Sequence, residues 1–198
     1  MTTPDHSTIP PVSTQVSEAE AMNQRIRERR HKGGTKAKTV SSEGVQDYGT
    51  PPELIQAVER DFSKIAFDLA ATSQNTVAPF WIEKDFRGAD SLSADWLADY
   101  DYHKSNGVLW LNPPFSGVRP WMEKCRDESA RGARILSLTK SSLDSNWYQE
   151  VVAPNAASWI LKSRVKFVGC DTVFTQALML TEWGTGKRGL GFWDWKRK

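Results

Sequence analysis

The sequence predicts an α/β fold in which helices flank a mostly parallel central sheet. Residues 107–111 form a continuous apolar run without charge, which is typical of a strand buried on both faces of a parallel sheet. Leu54, Val58 and Phe62 recur at every fourth position, as expected for the buried stripe of a helix.

The first predicted helix begins near Thr50. Thr50 is interpreted as the N-cap, Pro51 as the first helical residue and Glu53 as the reciprocal partner in a capping box. From there we expect a helix of about ten residues that buries its apolar stripe. A short strand over residues 65–69 is expected to follow it.

Most of the remaining elements are predicted after the central strand. Residues 119–131 indicate a helix and residues 133–138 indicate the next strand. A further helix is expected to start at Trp147. Three more strands are expected, over residues 157–161, 165–168 and 174–180. Residues 72–106 show the least recognisable periodicity of a helix or a strand.

Composition narrows the class of protein. The 198 residues, 39% of them hydrophobic, are enough for one sizeable core and one domain. The formal net charge of +2 does not by itself imply a polyanionic partner. Cys125 and Cys170 lie far apart, so we expect neither a metal site nor a disulfide framework. No apolar run approaches ~18 residues and no signal-type leader is recognisable, so we expect a cytoplasmic protein without a membrane partner.

The chain is expected to divide into a flexible basic tail, residues 1–46, and a folded domain, residues 47–198. The tail is poor in large apolar side chains, so it cannot bury enough surface to order itself. Its basic run includes Arg29, Arg30 and Lys32, which are candidate contacts to phosphate groups. A solvated tail without a partner is the alternative.

Further basic residues follow predicted strands inside the domain. Lys140 comes just after a strand on the expected ligand side of the sheet, and it is a candidate nucleic-acid contact. Lys162 and Arg164, with Lys166, form a basic edge that can lie against a phosphate backbone. The terminal segment 193–198 mixes tryptophan with basic residues, which predicts either packing or contact with a partner.

The central strand ends abruptly at Asn112-Pro113-Pro114-Phe115. Neither proline can donate to a strand ladder, and both restrict the residue before them, so Asn112 is held in place. The carboxyl ends of strands are where open α/β sheets bind ligands. The Asn112 side-chain oxygen and the Pro113 carbonyl can accept hydrogen bonds from one exocyclic amino group. Phe115 offers a face for stacking, worth roughly 1–3 kcal/mol per base. A merely stiff loop is the alternative.

This segment resembles the [DNS]-Pro-Pro-[YFW] motif of S-adenosylmethionine-dependent amino methyltransferases. The order and spacing of several motifs resemble the phage N-6-adenine DNA methyltransferase (Dam-type) family over roughly residues 47–180; these motifs are Tyr48-Gly-Thr50-Pro51, Phe67-Asp68-Leu-Ala-Ala71, Asn112-Pro-Pro-Phe115 and Trp121. The resemblance implies a doubly wound, Rossmann-like methyltransferase fold. It also implies S-adenosylmethionine as cofactor and double-stranded DNA with a flipped adenine as partner.

The same resemblance implies a role for particular residues. Its candidate cofactor-binding residues are Tyr48, Thr50, Asp68, Ala70, Asn75 and Asp90. Asp68 capping a turn and Asp90 capping a helix are the alternatives. The chain lacks the glycine-rich turn that most methyltransferases have after the first strand.

The reaction implied is site-specific methylation of the 6-amino group of adenine in DNA. Asn112, Pro113, Pro114 and Phe115 are the candidate catalytic residues. Two enzyme alternatives share the motif, namely methylation of RNA and methylation of a glutamine side chain in a protein. An inactive DNA-binding module on the same fold is the alternative of a different class.

Overall fold

In a computed structural model of the protein, residues 49–83, 89–98 and 107–197 are described, and they belong to one compact unit. The strands are β1 Ile65–Ala71, β2 Phe80–Glu83, β3 Val108–Leu111, β4 Ile135–Lys140, β5 Ala157–Leu161, β6 Leu178–Trp183 and β7 Gly189–Trp193. The helices are α1 Pro52–Asp61, α2 Ala89–Ser93, α3 Arg119–Ala130 and a π-helical turn, Tyr148–Val152. The predicted α/β class is confirmed.

The seven strands form one mixed sheet in the order β2-β1-β3-β4-β6-β5-β7. Every pairing is parallel except those of β6, which is antiparallel to β4 and to β5. The sheet is therefore mostly parallel, as predicted. From β1 the chain first proceeds outward to β2 and then crosses to β3 on the other side of β1. This reversal of direction makes the β1–β3 boundary a topological switch point, where the carboxyl ends of strands leave a crevice.

One face of the sheet carries α1. This helix buries Leu54, Ala57 and Val58 in the main hydrophobic cluster, which confirms the predicted helical stripe. The strands contribute alternate residues to the same cluster, such as Trp110 of β3 and Leu138 of β4, because successive side chains in a strand point to opposite faces.

The opposite face of the sheet is also closed from water. Leu109, Leu111 and Ile135 point to that side and are fully buried. Helix α3 buries Trp121 and Cys125 and contacts β6, α2 and the π-helical turn, and so provides the second layer. β3 is accordingly buried along its whole length and paired on both sides in parallel, as the apolar run predicted.

The predicted start of α1 is wrong by one residue. The N-cap is Pro51 in extended geometry, no side chain caps the helix, and the first helical residue is Pro52. The capping box between Thr50 and Glu53 is therefore not formed. The Thr50 hydroxyl instead accepts a hydrogen bond from Asn112, a partner distant in sequence that the local pattern does not reveal.

Two predicted strands also differ from the structure. Residues 165–168 form no strand; Val168 makes only an isolated bridge to Gly49. The strand predicted over residues 174–180 begins at Leu178. The alternation of apolar and polar residues over 165–168 reflects the packing of Val165 and Phe167 onto the core, where both are buried.

The sequence did not predict β7, which pairs with β5. Its end carries tryptophans that pack inside rather than contact a partner. Trp193 donates its indole N–H to Asp61 at 2.8 Å, and Trp195 donates to the Ser163 carbonyl at 3.1 Å. Phe62 lies edge-on against Trp193, with ring centroids 5.1 Å apart. No helix among the described residues is both long and apolar enough to cross a membrane.

Candidate active site and cofactor cavity

The candidate site lies at the carboxyl ends of β1, β3 and β4. These strands are parallel, so the residues that follow them meet at one edge of the sheet. Ala71 ends β1, Asn112 follows β3 and Lys140 ends β4. The β1–β3 switch point brings the predicted cofactor segment next to the predicted amine-binding segment, as expected for ligand sites in open α/β sheets.

Asn112 and Thr50 are joined by a hydrogen bond at this edge. The Asn112 amide nitrogen donates to the Thr50 hydroxyl at 3.3 Å, across 62 residues of sequence. Thr50 is buried and Asn112 is half-buried. The bond orients the amide, so its oxygen, the acceptor that amine binding requires, lies at the end turned away from Thr50.

Phe115 is part of an aromatic cluster and is only 9% exposed. Its ring centroid lies 5.4 Å from that of Phe174 and 6.1 Å from that of Phe167. The Lys140 ammonium lies 5.8 Å from the Phe115 ring centroid, within cation–π range. The sequence predicted a stacking face at Phe115; the structure covers most of it with neighbouring side chains.

A cavity of about 510 Å³ lies between the N-terminus of α1 and the segment that follows β1. Two candidate cofactor residues, Thr50 and Asn75, line it. The Asn75 side-chain oxygen also accepts a hydrogen bond from the Thr72 backbone N–H at 2.7 Å, which shapes the cavity wall. The cavity is of the size that accommodates cofactors, about 300–1,000 Å³.

Asp68 is buried and shapes the turn after β1. Its carboxylate accepts backbone hydrogen bonds from Ala70 at 3.3 Å and from Val77 at 3.1 Å. Neither Asp68 nor Ala70 is among the residues that line the cavity. This is the turn-capping arrangement that the sequence offers as the alternative role of Asp68. A carboxylate has about four acceptor sites, more than these two backbone bonds use, so the cofactor role of Asp68 stays a prediction.

Several candidate residues lie outside the described part of the chain. Tyr48 and the basic tail residues Arg29, Arg30 and Lys32 precede its first residue. The backbone of Asp90 is part of α2, while its side chain is not described. Their predicted roles therefore stay predictions.

The sequence missed several residues that line the cavity. They are Pro52, Ile55, Gln56, Thr72, Gln74, Thr76, Val77 and Val168. The segment 72–77 directly follows the small residues at the end of β1, a position that could have indicated it. Val168 could not have been found in this way, because a backbone bond from its N–H to the Gly49 carbonyl at 2.9 Å brings it to the cavity from far along the chain.

Both cysteines lie among the described residues, and neither lines the cavity. Cys125 is fully buried on α3, and desolvation raises the pKa of its thiol well above the ordinary value. Among the described residues no group of His, Cys, Asp and Glu could hold a metal ion.

Comparisons with known proteins point to one family. A family model described as DNA N-6-adenine-methyltransferase (Dam) matches residues 36–177 of the chain. The chain is also similar to a DNA N-6-adenine-methyltransferase of Escherichia phage T1, with 28% identity over 135 residues. This match covers 67% of the chain and 50% of the phage protein, so the chain spans about half the length of that curated relative.

Proposed function

The chain belongs to the DNA N-6-adenine-methyltransferase (Dam) family, and from this membership we propose that it transfers a methyl group from S-adenosylmethionine to the 6-amino group of adenine in double-stranded DNA. One observation carries the proposal. Asn112-Pro113-Pro114-Phe115 follows a central strand at the sheet's switch point, and Asn112 bonds to Thr50 in the wall of the 510 Å³ cavity.

The cavity suits S-adenosylmethionine. It lies against the first turn of α1, where the helix dipole favours a carboxylate such as that of the cofactor's methionine part. Thr50, Thr72 and Asn75 supply polar atoms to its wall, and Ile55 and Val77 supply apolar ones. When bound, the cofactor supplies a methyl group on a positively charged sulfur.

In this proposal Asn112 and Pro113 hold the amine that accepts the methyl group. Two oxygen acceptors on one amino group localise the nitrogen lone pair and direct it at the methyl carbon. The rigid Pro-Pro pair keeps both acceptors in place. Positioning and electrostatics then supply most of the acceleration, and no covalent enzyme intermediate is needed.

The adenine must leave the duplex stack to reach Asn112, which costs a few kcal/mol. Stacking on Phe115 requires a neighbouring side chain to move, because only 9% of Phe115 is exposed. Phe174 is the neighbour best placed to do so: it is half-buried, and exposed residues precede and follow it. The proposed action on DNA assigns the protein to the cytoplasm of a bacterial or phage-infected cell.

The test is transfer of labelled methyl from S-adenosylmethionine to unmethylated DNA, followed by nucleoside analysis. We expect labelled 6-methyladenine and, on mapping, one recognised sequence. Cofactor binding without label in DNA, but with label in RNA or protein, would overturn the DNA assignment. Absence of cofactor binding would favour an inactive DNA-binding module.

A further inference from the structure

The connection from β5 to β6, residues 162–177, lies at the same edge of the sheet as Asn112. β5 runs parallel to β4 and β6 runs against it, so the end of β5 and the start of β6 both face the candidate site. The connection contains no helix or strand. Connections longer than about 12–15 residues without secondary structure are uncommon and usually functional.

The first limb of this connection separates apolar from basic side chains. Val165 and Phe167 are 1% and 2% exposed, whereas Lys162, Arg164 and Lys166 are exposed. Alternation of this kind is that of an extended chain, in which every second side chain points the same way about 6.6 Å apart. We call Lys162, Arg164 and Lys166 the basic strip.

The basic strip differs in its ion pairing from the arginines of helices α1 and α3. On α1 and α3 the arginines pair with acids, as in Arg60–Asp61 and Arg119–Glu150, at 2.9 and 2.8 Å. Within the described ranges, none of the strip's three side chains forms a salt bridge. Exposed cations without an acidic partner are available to an external anion.

A small cavity of about 150 Å³ lies behind the strip. The residues that line it include Lys162, Ser163, Arg164 and Gln176, and each of these residue types carries hydrogen-bond donors on its side chain. The volume is several times the roughly 30 Å³ that a water molecule occupies in the liquid. A pocket that combines two cations with neutral donors has the chemistry of a phosphate-oxygen site.

The strip is also close in sequence to a residue that contacts Phe115, the residue on which the adenine is proposed to stack. Phe167 follows Lys166 directly and lies in contact with Phe115, with ring centroids 6.1 Å apart. The backbone of the strip therefore passes within one residue of the aromatic cluster at Phe115, while the strip's three cationic side chains are exposed to solvent.

We propose that the basic strip binds the backbone phosphates that flank the extruded adenine. The proposal deepens the proposed function and rests on it, since the extruded adenine belongs to that function. The chain's net charge is only +2, so a local cluster of unpaired cations must provide the attraction to DNA. Phosphate contacts of this kind fix the orientation of the duplex without reading its sequence.

The experiment compares two double variants that remove one arginine and one lysine each. The strip variant is Arg164→Gln with Lys166→Gln. The matched control is Lys64→Gln with Arg188→Gln, exposed residues that directly precede β1 and β7 at the opposite edge of the sheet. The measurement is the salt dependence of duplex DNA affinity in the full chain, together with the Tm of each variant.

We expect the strip variant to flatten the slope of log affinity against log salt by about 1.8, since each phosphate contact contributes about 0.9. The control should keep the wild-type slope, and both variants should keep the wild-type Tm. Arg164→Lys, which preserves the charge, should also keep the slope. Equal slopes in the strip variant and the control would overturn the inference.

The readout separates this inference from the proposed function. A flattened slope in a protein that methylates no DNA would support the strip as a DNA contact and refute the proposed reaction. Normal 6-methyladenine formation with an unchanged slope in the strip variant would support the proposed reaction and refute the strip as a DNA contact. Tighter binding to RNA than to duplex DNA under the same salt conditions would overturn the assignment of the strip to DNA.

Discussion

At the scale of single residues, the candidate chemistry depends on the Asn112 amide. The hydrogen bond to Thr50 settles which end of the amide is engaged by the protein. This gives Asn112 two separable roles: its oxygen serves the substrate amine in the proposed reaction, and its nitrogen links β3 to the segment before α1.

We therefore expect Asn112→Ala to lower methyl transfer by about 10²-fold or more, the typical loss of one preorganised hydrogen-bond partner. Cofactor affinity should be nearly unchanged, because Asn112 is not among the residues that line the cavity. Single-turnover transfer and equilibrium cofactor binding measure the two effects. Asn146→Ala, at an exposed position, is the control. Equal loss of transfer and of cofactor binding would show that Asn112 is structural.

At the scale of elements, α1 shows which local signals hold. Its apolar stripe packs as predicted, because apolar residues at helical spacing lie on one side of the helix and are buried wherever that side faces a core. Its predicted capping box fails, because Pro51 takes the N-cap position and the Thr50 hydroxyl has a tertiary partner. The predicted 165–168 strand fails similarly, since its alternation reflects packing of Val165 and Phe167 onto the core.

Two substitutions on α1 test this description. Leu54→Ala removes a fully buried side chain and should lower the free energy of unfolding by about 2–5 kcal/mol. Glu53→Ala removes an exposed first-turn acid and should cost less than about 1 kcal/mol, the size of a helix-dipole contribution. Urea denaturation measures both. A larger loss for Glu53→Ala would mean that the capping box does form.

At the scale of the whole molecule, the end of the described chain is pinned to α1 through Asp61. The Asp61 carboxylate accepts hydrogen bonds from its neighbour Arg60, which has the largest effect on its pKa. It also accepts hydrogen bonds from Trp193 and Arg197, which lie more than a hundred residues away in sequence. These contacts hold the pKa of Asp61 well below its ordinary value. The carboxylate thus stabilises the fold while it is charged.

The sign of the resulting pH dependence follows from the lowered pKa. A carboxylate of this kind contributes stability above the unfolded value, about 3.9, and that contribution disappears as the pH falls toward the folded value. We expect Asp61→Asn to lower the free energy of unfolding by about 1 kcal/mol at pH 7. The difference from wild type should shrink below about pH 4. Asp194→Asn, at an exposed position, should show neither effect; a pH-independent loss for Asp61→Asn would contradict this account.

The sequence by itself determined the α/β class, the buried central strand, the amphipathic helix α1 and the motif Asn112-Pro113-Pro114-Phe115. All of these follow from short-range order: strand and helix periodicities, and the backbone restriction that proline imposes on itself and on its neighbour. The sequence also predicted Thr50 and Asn75 as cofactor-binding residues; both line the cavity, and their cofactor role stays a prediction.

Only the tertiary structure decided which of these residues meet. Asn112 bonds to Thr50, Val168 closes on Gly49 and Phe174 covers Phe115. Each contact joins segments far apart in the chain, and the order of the strands in the sheet brings them together. Periodicity and propensity describe only a residue's near neighbours in sequence, so no local pattern could have specified these contacts.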